Sequence, residues 1–303
     1  MIVSITGGTG FIGKILVEKH LKRGDQVRVL TRRAQSVNPN LKIFIGNLMS
    51  PDIDLSEFLK NTDILYHCAG EIQDESLMKE LHINGTKRLI DSARGNIGRI
   101  VQLSSVGAYG KFRNGLINED TKENPSGHYE ITKTASDDIV KNSGIPFVIL
   151  RPSGVFGESM KNESLFRLLE IIKKGLFFYF GNKDAVVNYS HVDDVVLALL
   201  ECGEQINAVG NIFIISQTIT VQEMVESFLT GLELNKKIIQ IPEWIVRLVV
   251  RALSRFHLNP LTSSRIDALT GHSKYDSSKI MNKLQFEFSK SLEEHLILFA
   301  KQK

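Results

Sequence analysis

Tyr129 and Lys133, in Tyr129-Glu130-Ile131-Thr132-Lys133, share one face of any helix that carries them. A tyrosine ionises near about pH 10, and a nearby ammonium favours its phenolate. Bringing Tyr129 to neutrality takes roughly 4 kcal/mol. Upstream, Leu103-Ser104-Ser105-Val106-Gly107-Ala108-Tyr109-Gly110 offers Ser105 as a hydroxyl able to bond a substrate oxygen. Tyr129 would then donate or accept a proton at that oxygen. Tyr-x-x-x-Lys is common by chance, so the pair needs a context.

The start of the chain supplies one. Thr6-Gly7-Gly8-Thr9-Gly10-Phe11-Ile12-Gly13 spaces Gly7, Gly10 and Gly13 as G-x-x-G-x-x-G between an apolar run and a helical pattern. Glycines let the backbone turn tightly and approach a pyrophosphate, and a helix N-terminus offers unpaired N–H groups with a favourable dipole. The loop predicts a dinucleotide held by Gly7, Thr9, Gly10, Phe11, Ile12 and Gly13. A bound nicotinamide would share with Lys133 the lowering of Tyr129. Thr31-Arg32-Arg33 closes the second strand, where an acidic residue would bond the adenosine ribose and repel a 2′-phosphate. Guanidinium groups suit a phosphate, so Arg32 favours NADP over NAD.

Positioning these groups calls for alternating strands and helices. Runs at 2–5, 27–30, 41–45, 64–67, 99–104 and 146–151 read as strands, and 11–22, 55–60, 78–93 and 129–142 as helices. The alternation implies an α/β fold with a parallel sheet and right-handed crossovers. Beyond about residue 152 it loosens. Helices are expected there at 165–174, 192–202, 221–229 and 242–255, with a strand at 211–216. The expected division is a dinucleotide-binding domain over 1–152 and mostly a substrate-binding cap over 153–303. Part of 185–216 is free to return to the main sheet.

Composition excludes other classes. The 303 residues carry 37 basic and 34 acidic side chains, a net charge of +3, too small an excess to argue for nucleic acid. Cys68 and Cys202 stand far apart, which suggests neither a disulfide nor a zinc site and suits a reducing compartment. No metal is expected; His191-Val192-Asp193-Asp194 reads as a helix start capped by Asp193 or Asp194. No charged region precedes an apolar stretch at the N-terminus, and runs such as 195–200 are too short to span a bilayer, so a cytoplasmic location is expected. Arg247, Arg251 and Arg255 form a basic stripe along 244–255 that would suit a membrane surface. The favoured reading is a cap helix with its arginines in solvent or near an anionic substrate, without membrane contact.

Taken together, the motifs resemble the extended short-chain dehydrogenase/reductases, also called the NAD-dependent epimerase/dehydratase family. The resemblance runs over nearly the whole chain. It covers 6–13, Gly46-Asn47-Leu48, His67-Cys68-Ala69-Gly70, Asn84-Gly85-Thr86, 104–110, 129–133, Arg151-Pro152-Ser153-Gly154-Val155-Phe156-Gly157 and 191–194. It implies a Rossmann-type doubly wound sheet with a smaller, mostly C-terminal cap. It implies Ser105 rather than Ser104 as the active serine, four residues before Tyr109. Asn47 and Leu48 would lie beside adenine, although the family usually has aspartate at position 47. Cys68, Ala69 and Gly70 would pass the diphosphate and ribose, and Pro152 and Ser153 the nicotinamide. Asn84 would tie neighbouring strand backbone together. A homodimer through the helices at 78–93 and 129–142 is also implied.

Two enzyme readings follow. The first is a nucleotide-sugar 4-keto reductase or 4-epimerase, because the layout around 165–182, 241–244 and 275–279 resembles family members of surface-polysaccharide pathways. The arginines after the second strand favour net reduction. The second is a ketone reductase or 3-hydroxy dehydrogenase for steroid- or flavonoid-like compounds, with Phe177, Phe178 and Phe180 lining an apolar pocket. A non-catalytic cofactor sensor ranks last, since Ser105, Tyr129 and Lys133 are all intact.

Overall fold

The computed structural model describes every residue except 33–38, 112–113, 161–163, 181–182, 243, 246–247, 249–270 and 303. Arg33 and the stripe of Arg247, Arg251 and Arg255 lie outside the described residues.

Period-two alternation decides what each strand buries. In β1 (Ile2–Thr6), Val3 and Ile5 enter one apolar cluster, while Ser4 turns to the other face and donates to the Phe58 carbonyl at 2.8 Å. Six further strands join β1 in an all-parallel sheet. They are β2 (Gln26–Thr31), β3 (Leu41–Ile45), β4 (Thr62–His67), β5 (Ile97–Leu103), β6 (Phe147–Pro152) and β7 (Asn211–Ile215). Their order is β7-β6-β5-β4-β1-β2-β3. The chain therefore winds outward from β1 through β2 and β3, then restarts at β4 on the opposite side. The carboxyl ends of β1 and β4 flank that switch point, which is where α/β sheets open a crevice.

Val3, Ile5, Val29 and Val101 pack with Leu16, Val17, Val195 and Leu199, from helices Phe11–Lys22 and Val192–Glu204. Leu30, Leu65 and Ile100 pack with Leu89, Ile90 and Val140, from helices Thr86–Ala93 and His128–Lys141. A separate cluster unites Leu169, Phe228, Leu296 and Phe299 from helices Ser164–Lys173, Val221–Gly231 and Leu292–Lys301 with Phe156 and Val187. Phe156 and Val187 belong to a small sheet of Gln217–Thr220, Val186–His191 and Gly154–Phe156. The two apolar layers and this third cluster give the Rossmann-type sheet and its cap.

The helix expected over 78–93 is not continuous. It comprises Glu75–Lys79, a π-helical turn Glu80–Gly85 and Thr86–Ala93. The apolar period has no mark for a π-turn, because the one-residue widening re-aims polar side chains. His82 and Thr86 thereby become buried. At 192–204 the cap is His191, whose ring accepts from the Asp193 amide, rather than Asp193 or Asp194. Asp194 is instead buried and shared between the Ser289 amide at 2.8 Å and the His295 ring at 3.1 Å, so its oxygens are committed to tertiary partners.

Candidate active site

β1 delivers the glycine loop to the switch point. Gly7 has φ +70°, and a Cβ there would lie 2.6 Å from the carbonyl carbon of Cys68 and the nitrogen of Ala69. A Cβ on Gly13 would lie 2.2 Å from the Gly7 oxygen. Any side chain at either position would force these backbones apart, so the loop is shaped for close approach. Gly10 begins the twelve-residue helix Phe11–Lys22 without a side-chain cap. Its first amides lack intrahelical partners and carry the positive end of the helix dipole. Thr9 is exposed, and Phe11 and Ile12 are half-buried. Cys68, Ala69 and Gly70 leave β4 directly against Gly7, and burial pushes the Cys68 thiol up to about 12, so it carries no thiolate near neutrality. The cradle fits a dinucleotide phosphate on its geometry alone.

The outer parts of the expected cofactor surface are looser. Arg32 is exposed just beyond β2. The Asn47 side-chain oxygen accepts from the Met49 amide at 3.1 Å, so part of its acceptor capacity serves its own turn. Arg88 donates to the Leu48 carbonyl at 2.9 Å. Pro152 ends β6, and Ser153 is buried with its hydroxyl 3.0 Å from that of Ser190.

β5 brings the serines to the same edge, and alternation separates them. Ser104 turns inward and donates to the Asp137 carboxylate at 2.7 Å. Ser105 is half-buried, and among the described residues its oxygen accepts from the Gly107 amide at 3.1 Å, within the turn Val106–Tyr109. A Cβ on Gly107 would lie 2.6 Å from the Cγ of Glu130, so this turn sits against the residue next to Tyr129. Ser104 is thus consumed by packing, and Ser105 is the hydroxyl presented beside the helix His128–Lys141.

That helix carries the remaining groups. Lys133 is buried, and its ammonium donates to the Leu103 carbonyl at 2.7 Å. Burial lowers its proton affinity, against the opposing pull of Asp137 and then Cys68. Asp137, one turn on, accepts from Arg151 Nη2 at 2.9 Å and Nε at 3.2 Å, and both residues are fully buried. Arg151 also reaches Glu123 at 2.6 Å. The expected lowering of Tyr129 does not occur within the protein alone. Burial pushes its phenol up to about 12, helped by the charges of Asp137 and Glu130. Lys133 donates to the Leu103 carbonyl, and its charge also acts on Asp137.

Asn84 does not tie strand backbone together. Its amide donates to Glu80 on its own helix, because the π-turn directs position 82 inward instead. His82 is the residue that reaches the loop after β4: its Nε2 accepts from the Glu71 amide at 2.9 Å. His67 lies behind it, bridging the Thr6 hydroxyl at 2.6 Å and the Thr86 hydroxyl at 2.9 Å. Sequence reasoning singled out neither histidine. Each is held by residues distant in the chain, and the only local signal is that His82 precedes Thr86 by one helical turn.

Burial lowers His67 to about 3 and His82 to about 4, with the Lys133 charge acting in the same direction. Both are neutral when folded, whereas an unfolded histidine titrates near about 6.5. The unfolded chain therefore binds more protons in mild acid, and the stability present above pH 6.5 is lost as pH falls toward the folded values. At pH 5 each histidine is expected to have cost about 2 kcal/mol. Urea unfolding at pH 7.5 and pH 5.0 measures this; equal midpoints would contradict it.

These motifs and this fold are those of a known group of proteins. Residues 3–216 match the model of the NAD-dependent epimerase/dehydratase family. The chain belongs to that family. The similar proteins include enzymes of two chemical kinds. UDP-glucose 4-epimerase of Vibrio cholerae is 26% identical, over 96% of this chain and 92% of that protein. The decarboxylating sterol-4-alpha-carboxylate 3-dehydrogenase of Mus musculus is 27% identical, over 83% of this chain and 74% of that protein. A solved epimerase/dehydratase neighbour, UDP-glucuronic acid 4-epimerase from Bacillus cereus in complex with NAD, superposes with a TM-score of 0.76. It covers 100% of this chain and 99% of its own at 20% identity, which shows the shared fold. No described helix is long and apolar enough to cross a membrane.

Proposed function

We propose that this family member moves hydride at a carbon–oxygen centre of a nucleotide-sugar, as a 4-keto reductase or a 4-epimerase. The observation that carries the reading is the division of labour at the end of β5, where Ser104 is locked to Asp137 and Ser105 is left facing the Tyr129 helix. The match to the Vibrio cholerae epimerase over nearly the full length of both chains supports the nucleotide-sugar.

In this reading Gly7, Thr9, Gly10, Phe11, Ile12 and Gly13 hold the pyrophosphate, and Asn47 and Leu48 flank adenine. Cys68, Ala69 and Gly70 run past the diphosphate and ribose, and Pro152 and Ser153 close on the nicotinamide end. The dinucleotide, when bound, supplies or accepts the hydride. Ser105 donates a hydrogen bond to the substrate oxygen and fixes it within reach of Tyr129. Tyr129, which burial keeps protonated, delivers its proton to that oxygen as charge develops there. In the reverse direction Tyr129 accepts the proton, and the Lys133 ammonium stabilises the phenolate. Arg32 at the end of β2 supports NADP as the preferred dinucleotide.

A specific observation favours a second substrate class. Leu176, Phe177, Phe178, Ile238 and Ile239 line a groove of about 520 Å³ in the cap together with Gly175, Lys236 and Lys237, and the mouse relative is a sterol dehydrogenase. One set of assays separates the readings. UDP-glucose and UDP-galactose, and a panel of hydroxy- and keto-steroids, are offered with NAD(H) and NADP(H) to wild type and Arg32→Asp. Turnover of a UDP-sugar is expected, with Arg32→Asp lowering selectivity for NADP about tenfold, the size of one charge-assisted contact. Turnover of steroids alone would move the assignment to the second class, and unchanged selectivity would remove Arg32 from cofactor choice.

A further inference from the structure

His82 is the only described side chain shown bonding both to the loop that follows β4 and to the first turn of the Tyr129 helix. Its Nε2 accepts from the Glu71 amide at 2.9 Å, and its Nδ1 lies 2.8 Å from the Thr132 hydroxyl. The first bond fixes the tautomer, since a nitrogen that accepts from an amide carries no proton. Nδ1–H therefore donates to Thr132. The Thr132 hydroxyl passes its own proton on to the His128 carbonyl at 2.8 Å, with the Tyr129 carbonyl at 3.1 Å as the alternative acceptor. Every bond in this relay has one direction, and the imidazole is buried. Turning the ring would strand a buried amide or hydroxyl, at about 1–3 kcal/mol each.

The fixed ring has a further neighbour. It stands edge-on to the Tyr129 ring, with centroids 5.7 Å apart and planes at 82°. That is a favourable aromatic geometry, and it limits where the phenol can swing. On its other side, His82 Nε2 lies 3.6 Å from where a Gly70 Cβ would be, so the imidazole also bounds the Cys68–Gly70 path beside Gly7. The π-turn Glu80–Gly85 is what points position 82 at both partners.

We propose that His82 is a positioning residue that holds the dinucleotide-facing loop and the Tyr129 ring in one register. The proposal rests on the reading of Tyr129 as the acid/base. Both nitrogens of His82 are committed and its imidazole is neutral, so it moves no proton itself. Its two bonds instead act on different steps. The Glu71 bond sets how the loop receives the dinucleotide. The Thr132 bond, with the ring contact, sets where the phenol stands.

Two conservative variants separate these bonds, because an asparagine amide reaches the place of Nδ1 and a glutamine amide the place of Nε2. His82→Asn retains the Thr132 contact and releases the loop. It is expected to raise the dinucleotide Kd about tenfold and to lower kcat less than His82→Gln does, because only the ring contact is lost on the phenol side. His82→Gln retains the Glu71 contact and frees the phenol. It is expected to lower kcat about tenfold with the Kd unchanged. Thr132→Val keeps the β-branched shape and is expected to reproduce the kcat loss of His82→Gln. The dinucleotide Kd is measured by calorimetry without substrate, and kcat at saturation, both well below each variant's melting temperature. The split supports the proposal. Parallel changes in Kd and kcat, or no change in either, would overturn it. Failure of the Tyr129 reading would show separately, as full turnover in Tyr129→Phe.

Discussion

Replacing Tyr129 by phenylalanine is expected to lower kcat by about 10²–10⁴-fold, the usual contribution of a positioned acid or base. Only the hydroxyl is lost. The ring keeps its edge-on contact with His82, and the glycine cradle around Gly7 and Gly13 is untouched. Dinucleotide affinity should therefore persist while turnover disappears, and calorimetry beside a steady-state assay reads both quantities. The phenol pushed up to about 12 gives this prediction its direction. A phenol that stays protonated at neutral pH has a proton to give, and its removal leaves the developing oxygen charge without one. Wild-type turnover in the variant would defeat the assigned role.

Arg151→Met is expected to destabilise the protein by about 3–5 kcal/mol, the cost of leaving one partner of a buried ion pair alone. Asp137 is fully buried and would keep only Ser104 and the field of Lys133. The urea midpoint measures the loss. The double variant Asp137→Leu, Arg151→Met should recover much of it, because an apolar pair of similar volume removes the uncompensated charge. An unchanged midpoint in the single variant would show that the pair does not anchor the helix. The charge also has a functional side. Asp137 works against ionisation of Tyr129, and Arg151 favours the charged form of Asp137.

What could be read from the sequence follows from the range of the forces involved. The loop 6–13 was legible because glycine spacing is a local requirement of the turn. The first six strands of the sheet were legible because β-branched runs bounded by turns carry their own period. Asn211–Ile215 was visible as a strand, but its place beside β6 depends on a return after about sixty residues of cap. His82 was invisible because Glu71 and Thr132, which give it purpose, lie 11 and 50 positions away. The π-turn was hidden for the same reason, since burial of His82 and Thr86, not helical period, marks it. Ser105 was separated from Ser104 by family spacing, and the structure adds the physical ground that Asp137 occupies Ser104. The one-turn spacing of Lys133 from Tyr129 is local, whereas the burial of the phenol and the Asp137 and Glu130 charges on it depend on the folded packing.

The junction between the sheet and the cap has a consequence for how such an enzyme changes substrate over evolutionary time. The chain leaves β6 at Pro152 and leaves β7 at Ile215, and these two exits are neighbours, with the Ser153 amide bonded to the Ile215 carbonyl at 3.1 Å. The Ser190 hydroxyl donates to the same carbonyl at 2.8 Å. The cap segment after β6 and the one after β7 thus leave the sheet through one small buried serine cluster. Helices and loops beyond that gateway can drift, lengthen or be exchanged while the strand ends bearing Gly7, Ser105 and Tyr129's support stay in place. One hydride-handling chassis can in this way be fitted with successive recognition modules, and UDP-sugar epimerases and sterol dehydrogenases within a single family are what such a history would leave behind.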